Sequence, residues 1–491
     1  MKKFIYIITT LLVFTSCNKF LDVKPESEID KTELFTTEAG FKEALNGVYT
    51  LCASATLYGE SLTFGNLDIM AQNYDFTDIG YRKIASFDYS YPDMVSWSYN
   101  TWVTQYRAIA NCNNILENID AKKSLFNGDN YELIKGEALT LRAYLHFDLL
   151  RLYAPSYKSN PTAKAIPYVT TVSTKSTKFS TVTEVLNKAI DDLNAAKILL
   201  KTADPINNGY TVGYPDDAGN PEVNNADLFL QNRRHRMNYF TVCGELARIY
   251  LYKNDIPNSL LNAKEVIDSQ KFPHTAKTDF NETDIAKKDR IFYKELITAW
   301  YINDNVDIKQ DLVKLYINDN PKLMPTSDQI DDIYEKDFAG GLDWRYKQWF
   351  FKTTIGSNGT ERALLQKYIS NTIPVKNRHP LVAPAMRLSE MYYIAAEASF
   401  DTNPMQAVEY YNTMRISRGI EDNLTNAGSK NEFIELLIKE ARKEFYGESQ
   451  IFYMYKRLNH PVKISPTQNY PASDKIFVLP IPVDEGAYNN N

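Results

Sequence analysis

The segment Asn130-Tyr-Glu-Leu-Ile-Lys-Gly-Glu-Ala-Leu-Thr-Leu-Arg-Ala-Tyr-Leu-His-Phe-Asp-Leu-Leu-Arg-Leu-Tyr153 decides how the rest of the chain is read. Leu133, Ile134, Ala138, Leu141, Leu145, Leu149 and Leu152 recur at steps that keep one face of an α-helix for roughly six turns. Pro155 cannot continue the helix and marks its stop. Upstream, Thr36–Tyr58 carries Phe41, Leu45, Val48 and Tyr49 at the same spacing, and Ser96–Asn118 carries Trp102, Tyr106, Ile109 and Ile115. Downstream, Thr181-Val-Thr-Glu184 has the form of a capping box, which opens a helix to about Lys201.

The second half adds helices in pairs. Met237–Lys253 and Asn258–Ser269 form one, and Ala385 to Asp401 with Pro404 to Arg418 form another. Asn403 can cap the last of these, Pro404 suits its first position and Gly419 its stop. Glu432–Tyr446 ends at Gly447, and the clearest strand-like run is Lys475–Leu479. Ala247 to Asp255, followed by Ala263, matches the small-residue rhythm of Ala395 to Asp401, followed by Ala407. Small residues at a close helix contact, an acidic turn and a second helix are the logic of tetratricopeptide repeats, whose hairpins stack because one alone cannot bury its apolar face. The expected class is mainly all-α: a tetratricopeptide-like scaffold of helix pairs with long irregular loops and a few short strands. Three such excursions, Leu62–Ser96, Ala203–Arg236 and Lys271–Pro384, are rich in Asn, Asp, Gly and Tyr, and loops of that length are usually functional or disordered. The third holds Trp300, Trp344 and Trp349, which argues against disorder.

Residues 1–16 read as a signal peptide: Met1-Lys2-Lys3 is a positive start, and the apolar run Phe4 to Phe14 is too short for the roughly 20 residues that span a bilayer. Thr15 and Ser16 lead into Cys17, the pattern of a bacterial lipoprotein whose cysteine becomes the acylated first residue, so residues 17–35 are expected to form a lipidated tether. Stable attachment needs more than one acyl chain. No later run is long and apolar enough to span a membrane, so the anchor would be the only attachment. Cys52, Cys112 and Cys243 fall in helix-like segments and read as small buried hydrophobes. Across 491 residues, 55 Lys+Arg against 61 Asp+Glu leave a formal charge of −6, without the basic stripe that nucleic acid would need.

No catalytic signature is present: HExxH, GxSxG, GxxxxGK and CxxC are all missing. The expectation is therefore a protein that is not an enzyme, with no cofactor and no metal. His146 falls within a helix and reads as structural, and Asp216-Asp217-Ala-Gly-Asn220 lacks calcium-loop spacing and reads as a solvated turn. Aromatic residues, at 13% with 34 Tyr and 24 Phe, are the better lead. A sugar offers apolar C–H faces and a rim of hydroxyls, so its site wants flat rings with Asn, Asp and Arg at the edges. Tyr81 and Arg82, Trp97 and Asn100, and Trp300, Tyr301 and Asn303 carry this mixture and are the candidate ligand contacts.

An ordered set of landmarks resembles SusD/RagB-type outer-membrane lipoproteins of Bacteroidetes. It starts at Cys17-Asn-Lys-Phe-Leu-Asp22 with Pro25, and continues through Trp102-Val-Thr-Gln-Tyr106-Arg107, Gly136-Glu137-Ala138 and Leu141-Arg142-Ala143-Tyr144. Glu245 to Tyr252, Arg387-Leu-Ser-Glu390-Met-Tyr392, Asn412-Thr-Met-Arg415, Arg418-Gly419, Glu440 to Glu448 and Leu479-Pro480-Ile-Pro482 follow. Arg442-Lys443 and Ser449-Gln450 depart from the commoner forms, and residues 203–235 and 271–378 hold few landmarks beyond Asp343-Trp-Arg345. The resemblance implies a SusD-like N-terminal helical region at 36–202, a loop excursion at 203–235, and a C-terminal region at 236–491 with a ligand-loop insertion at about 271–384. It further implies a non-catalytic nutrient-binding lipoprotein, lipid-anchored in the outer membrane and facing the cell exterior. Such a protein captures an oligosaccharide and delivers it to a SusC-like TonB-dependent transporter. The alternatives are a peptide-binding, RagB-like importer component and a surface glycoside hydrolase. Glu137, Arg142, Arg387, Glu440 and Glu444 are expected to pair and pack helices, not to touch ligand.

Overall fold

Asn130–Tyr153 is one helix with the bounds its apolar period predicts, but it is not one-sided: polar and apolar side chains alike are buried along nearly its whole length. A helix buried all round lies inside the protein, and its polar residues need partners there. They have them. Glu137 pairs with Arg233 at 2.8 Å, Arg142 donates to both carboxylate oxygens of Asp192, and Asp148 accepts from Tyr58 at 2.6 Å. His146 is structural: its Nδ1 lies 2.8 Å from the Arg142 carbonyl and its Nε2 accepts from the Val169 amide.

The computed structural model describes residues 31–76, 78–303, 306–316, 321–355, 359–372 and 374–488; the signal segment 1–16, Cys17 and the tether as far as residue 30 lie outside the described residues. The longer helices are α1 Glu38–Cys52, α2 Pro92–Ile119, α3 Asn130–Tyr153, α4 Val182–Ala203, α5 Tyr239–Tyr252, α6 Ile256–Asp268, α7 Val306–Tyr316, α8 Ser327–Tyr334, α9 Leu388–Ser399, α10 Pro404–Ile416, α11 Lys430–Glu444 and α12 Gln450–Leu458. The capping box at Thr181 and Glu184 forms as expected, and Asn403 caps α10 with Pro404 in its first turn.

Packing runs α2 on α3, α3 on α4, α4 on α5, α5 on α6, α6 on α9 and α9 on α10. The two repeat-like pairs α5–α6 and α9–α10 therefore stack directly on each other, although the third excursion separates them in sequence. α5 also runs close to β6 at Gly244, where a Cβ would stand 2.1 Å from the Met386 sulfur. One hydrophobic core extends from Phe35 to Leu479 and includes Cys52, Cys112 and Cys243, all free and buried. Burial pushes the Cys112 and Cys243 thiols up to about 12, as inert core thiols should be.

Short antiparallel strand pairs lie among the helices: β1 Lys164–Pro167 with β2 Phe179–Thr181, β3 Leu296–Tyr301 with β6 Val382–Arg387, β4 Phe350–Thr354 with β5 Glu361–Leu365, and β7 Val462–Ser465 with β8 Gln468–Tyr470. Two expectations are corrected here. Ala385 to Arg387 belong to β6, not to the start of a helix, because β3 supplies a partner from the far side of the insertion; Pro384, which has no N–H to donate, fits this two-stranded edge. Lys475–Leu479 is no strand: Asp474–Phe477 forms one helical turn that buries Phe477, and the Phe477 carbonyl accepts from Lys456. The excursions also hold more regular structure than expected, including α7, α8, β4 and β5.

A buried ion network ties the insertion to the C-terminal helices. Glu444 accepts from Arg345 and Arg418, both at 2.7 Å, and from Arg387; Arg418 also reaches Glu295 at 2.6 Å, and Glu440 pairs with Lys443 and Arg345. Burial opposes ionisation of Glu444, yet Arg387, Arg418 and Arg345 hold its carboxyl well below the usual range. Glu440 is brought down to about 2 against its burial, by Lys443 and Arg345. The motif residues Glu137, Arg142, Arg387, Glu440 and Glu444 thus pair with other protein groups inside the fold.

Candidate functional site

A cleft of about 1220 Å³ opens where α1, the 203–235 excursion and the 271–384 insertion meet. Asn46, Tyr49 and Thr50 reach it from one face of α1, at the spacing that aligns side chains along a helix, and Ala53 and Ser54 from the turn that ends it. Leu228, Gln231, Asn232, His235 and Arg236 come from the second excursion, and the end of β3 and the segment 367–382 from the third.

Arg236 anchors one wall. Its Nε donates to both oxygens of Glu137 at 3.2 and 2.9 Å and its Nη1 to Asn46 at 3.0 Å, while the guanidinium lies 4.7 Å above the Tyr49 ring. The Tyr49 hydroxyl donates to Glu137 at 2.6 Å and accepts from the Met237 amide, so α1, α3 and the entry to α5 are locked together behind the cleft. On the opposite wall, Asn371 and Asn377 brace their own loop: the Asn371 amide N–H donates to Asn377 Oδ1 at 2.7 Å and Asn377 Nδ2 to the Ile369 carbonyl at 3.0 Å. Arg378 lies 3.6 Å above the Tyr214 ring and pairs with Asp279 at 3.1 Å. His379 stacks on Tyr293 at 5.4 Å, nearly parallel. Burial, with help from Arg234, holds His235 down to about 4, and burial lowers His379, so both imidazoles are neutral at neutral pH.

The expected contacts divide between places. Trp300, Tyr301 and Asn303 line the cleft. Trp300, however, does not offer the free ring face expected of it: it is 1% exposed, stacked on Tyr58 at 4.7 Å and 11°, with Tyr144 edge-on at 5.6 Å. Its neighbour Tyr301 is 46% exposed, and its ring lies 5.3 Å from that of His235. Tyr81 and Arg82 sit on the short helix Ile79–Ala85, Tyr81 half-buried near Phe76 and Arg82 exposed. Trp97 and Asn100 lie on α2, Trp97 buried and Asn100 exposed; none of these four lines the cleft.

Tyr49, Arg236, Tyr293, Lys376 and Arg378 were missed by sequence reasoning. The signal available for some of them was compositional: Arg233-Arg234-His235-Arg236 and Lys376-Asn377-Arg378-His379 are cationic runs in an acidic chain. Only the fold separates the internal members of the first run, Arg233 on Asp204 and Arg234 on Glu222, from the two that reach the cleft. The loop at Asp216 and Asp217 is a turn, with Asp217 accepting from the Tyr214 amide. Among the described residues no group of three or more His, Cys, Asp or Glu is placed to hold a metal, and no helix is long and apolar enough to cross a membrane.

A stacked helix-pair scaffold with one large cleft built from its insertions defines a class of binding protein. Comparison with known proteins places the chain within it. Residues 19–205 match a family model described as starch-binding associating with outer membrane, and residues 361–476 match the SusD family model. The chain belongs to the SusD/RagB family. Among solved structures, a SusD-like carbohydrate binding protein from Bacteroides vulgatus superposes with a TM-score of 0.72 at 20% identity, covering 93% of this chain and 97% of that one. A SusD superfamily protein from Bacteroides thetaiotaomicron gives 0.68 at 20% identity, covering 92% and 98%. SusD-like protein P25 of Formosa agariphila is 26% identical over 163 residues, a match that spans 31% of each chain.

Proposed function

We propose that this protein captures an oligosaccharide at the cell exterior and passes it on uncleaved to a SusC-like TonB-dependent transporter, while an acylated Cys17 holds it to the outer membrane. The cleft carries the reading. Its volume of about 1220 Å³ exceeds the roughly 300–1,000 Å³ typical of small-molecule pockets and suits a chain of several sugar units. Its lining combines an exposed ring at Tyr301 with hydroxyl and amide groups at Thr50, Ser54, Asn303 and Ser370, the pairing that a sugar's apolar faces and hydroxyl rim require. Among the described lining residues there is no Asp or Glu, so the paired carboxylates of a glycosidase are not assembled there. The family match and the lipoprotein-like start support the envelope location and the transporter partner. The test is calorimetric titration of the protein, without its signal segment, against glycan and peptide libraries, with a parallel assay for new reducing ends. Binding of a glycan without cleavage is expected. Cleavage, or binding of peptides alone, refutes the proposal.

A further inference from the structure

We infer that the cleft is built for an anionic oligosaccharide, one bearing carboxylate or sulfate groups; this rests on the glycan-capture reading above. Over the whole chain acidic residues outnumber basic ones, 61 to 55. The cleft reverses that balance. Arg236, Lys309, Lys367, Lys376 and Arg378 line it, and among the described lining residues no carboxylate does.

The carboxylates that pair with Arg236, Lys367 and Arg378 are not among the lining residues. Glu137 is fully buried behind Arg236, Glu448 lies behind Lys367, and Asp279, with Asp216 at 3.8 Å, flanks Arg378. Arg236 and Arg378 are partly exposed at the cleft, whereas Lys367 is itself buried on Glu448 and adds no exposed charge. Most of these carboxylates are also shared: Glu137 with Arg233 at 2.8 Å, Asp279 with Lys294 at 3.1 Å and Glu448 with Arg387 at 2.9 Å. Lys376 is exposed at the rim, where an incoming anion meets it first.

Desolvation decides between a neutral and a charged ligand. A neutral sugar closing over these ammonium and guanidinium groups strips water from them and returns no charge, which costs free energy. A carboxylate or sulfate replaces that water with charge-assisted hydrogen bonds, roughly twice as strong as neutral ones. The long-range field of an acidic protein does not favour anions, so the preference has to come from the local wall.

Matched ligand pairs test this in titration calorimetry: oligogalacturonate against its methyl ester, and sulfated against desulfated carrageenan oligosaccharides. At least one anionic member is expected to bind about tenfold or more tighter than its neutral partner. That affinity should fall as NaCl rises from about 50 to about 500 mM, where the screening length shrinks to a few ångströms. The Lys376→Gln protein should lose several-fold affinity for the anion at an unchanged melting temperature. Equal affinity within every pair, or tight binding of neutral maltooligosaccharides alone, overturns the inference and leaves glycan capture standing. Binding of acidic peptides with no glycan binding, or no binding across both sets, overturns glycan capture as well.

Discussion

Trp300 and Tyr301 are neighbours on β3 with opposite surroundings, so truncating each should have opposite consequences. The Trp300 ring lies inside an aromatic cluster with Tyr58, Tyr144 and Tyr49, at centroid distances of 4.7, 5.6 and 6.3 Å. Trp300→Ala removes that ring from a core that collapses only in part, at a cost of about 3–5 kcal/mol. Unfolding entropy is near 2.1 cal/mol/K per residue, or roughly 1 kcal/mol/K for a chain of this length, so the melting temperature should drop by about 3–5 °C. Tyr301 is 46% exposed, and Tyr301→Ala should change stability by no more than about 0.5 kcal/mol, a shift within roughly 1 °C. Its ring should instead contribute about 1 kcal/mol to holding a sugar face, near a fivefold change in Kd. Scanning calorimetry and ligand titration on both variants give the answer. A Trp300→Ala protein that melts normally and loses binding, or a Tyr301→Ala protein that melts early and binds normally, would refute the assignment of inner wall and outer surface.

The buried ion network makes further predictions. Arg418→Ala leaves Glu295 and Glu444 short of a partner inside the protein, so a loss of about 3–5 kcal/mol is expected in chemical denaturation; a change below about 1 kcal/mol would mean that the network tolerates the missing charge. Glu440 is held at about 2, below its ordinary 4.5, so its ionisation stabilises the fold fully above about pH 4.5, and that contribution is lost as pH falls toward 2. Melting temperatures recorded down that range should decline, and Glu440→Gln should flatten the decline; an identical slope would remove Glu440 from the account. Gly419 has φ +82°, and a Cβ there would stand 2.0 Å from the Trp344 indole nitrogen, so Gly419→Ala should cost at least about 1–3 kcal/mol in the same assay. Cys17→Ala should move the protein from the membrane to the soluble fraction of cells, and unchanged fractionation would end the lipid-anchor reading.

Much of the scaffold was legible because its signals are local. The apolar period of Asn130–Tyr153 and the capping box at Thr181 depend on residues within a few positions of each other, and both elements formed as read. The stacking of α5–α6 on α9–α10 was also foreseeable, since each pair leaves an apolar face that something must cover. Ala385 to Arg387 failed for the complementary reason: a strand needs a partner, and β3 lies on the other side of a long insertion.

The candidate site shows the same division more sharply. Amino-acid types pointed to Trp300, Tyr301 and Asn303, and all three do line the cleft. Which ring faces outward depends on the register of β3 against β6 and on the arrival of Tyr58 and Tyr144 from distant segments. Sequence by itself determined the helix-pair scaffold, the ion-pairing motif residues and the family. Tertiary structure alone decided that Tyr81, Arg82, Trp97 and Asn100 stand away from the cleft while Tyr49, Arg236 and Arg378 enter it. Helical period and capping are short-range properties of the chain, whereas exposure and charge at a cleft are set by which remote segments fold against each residue.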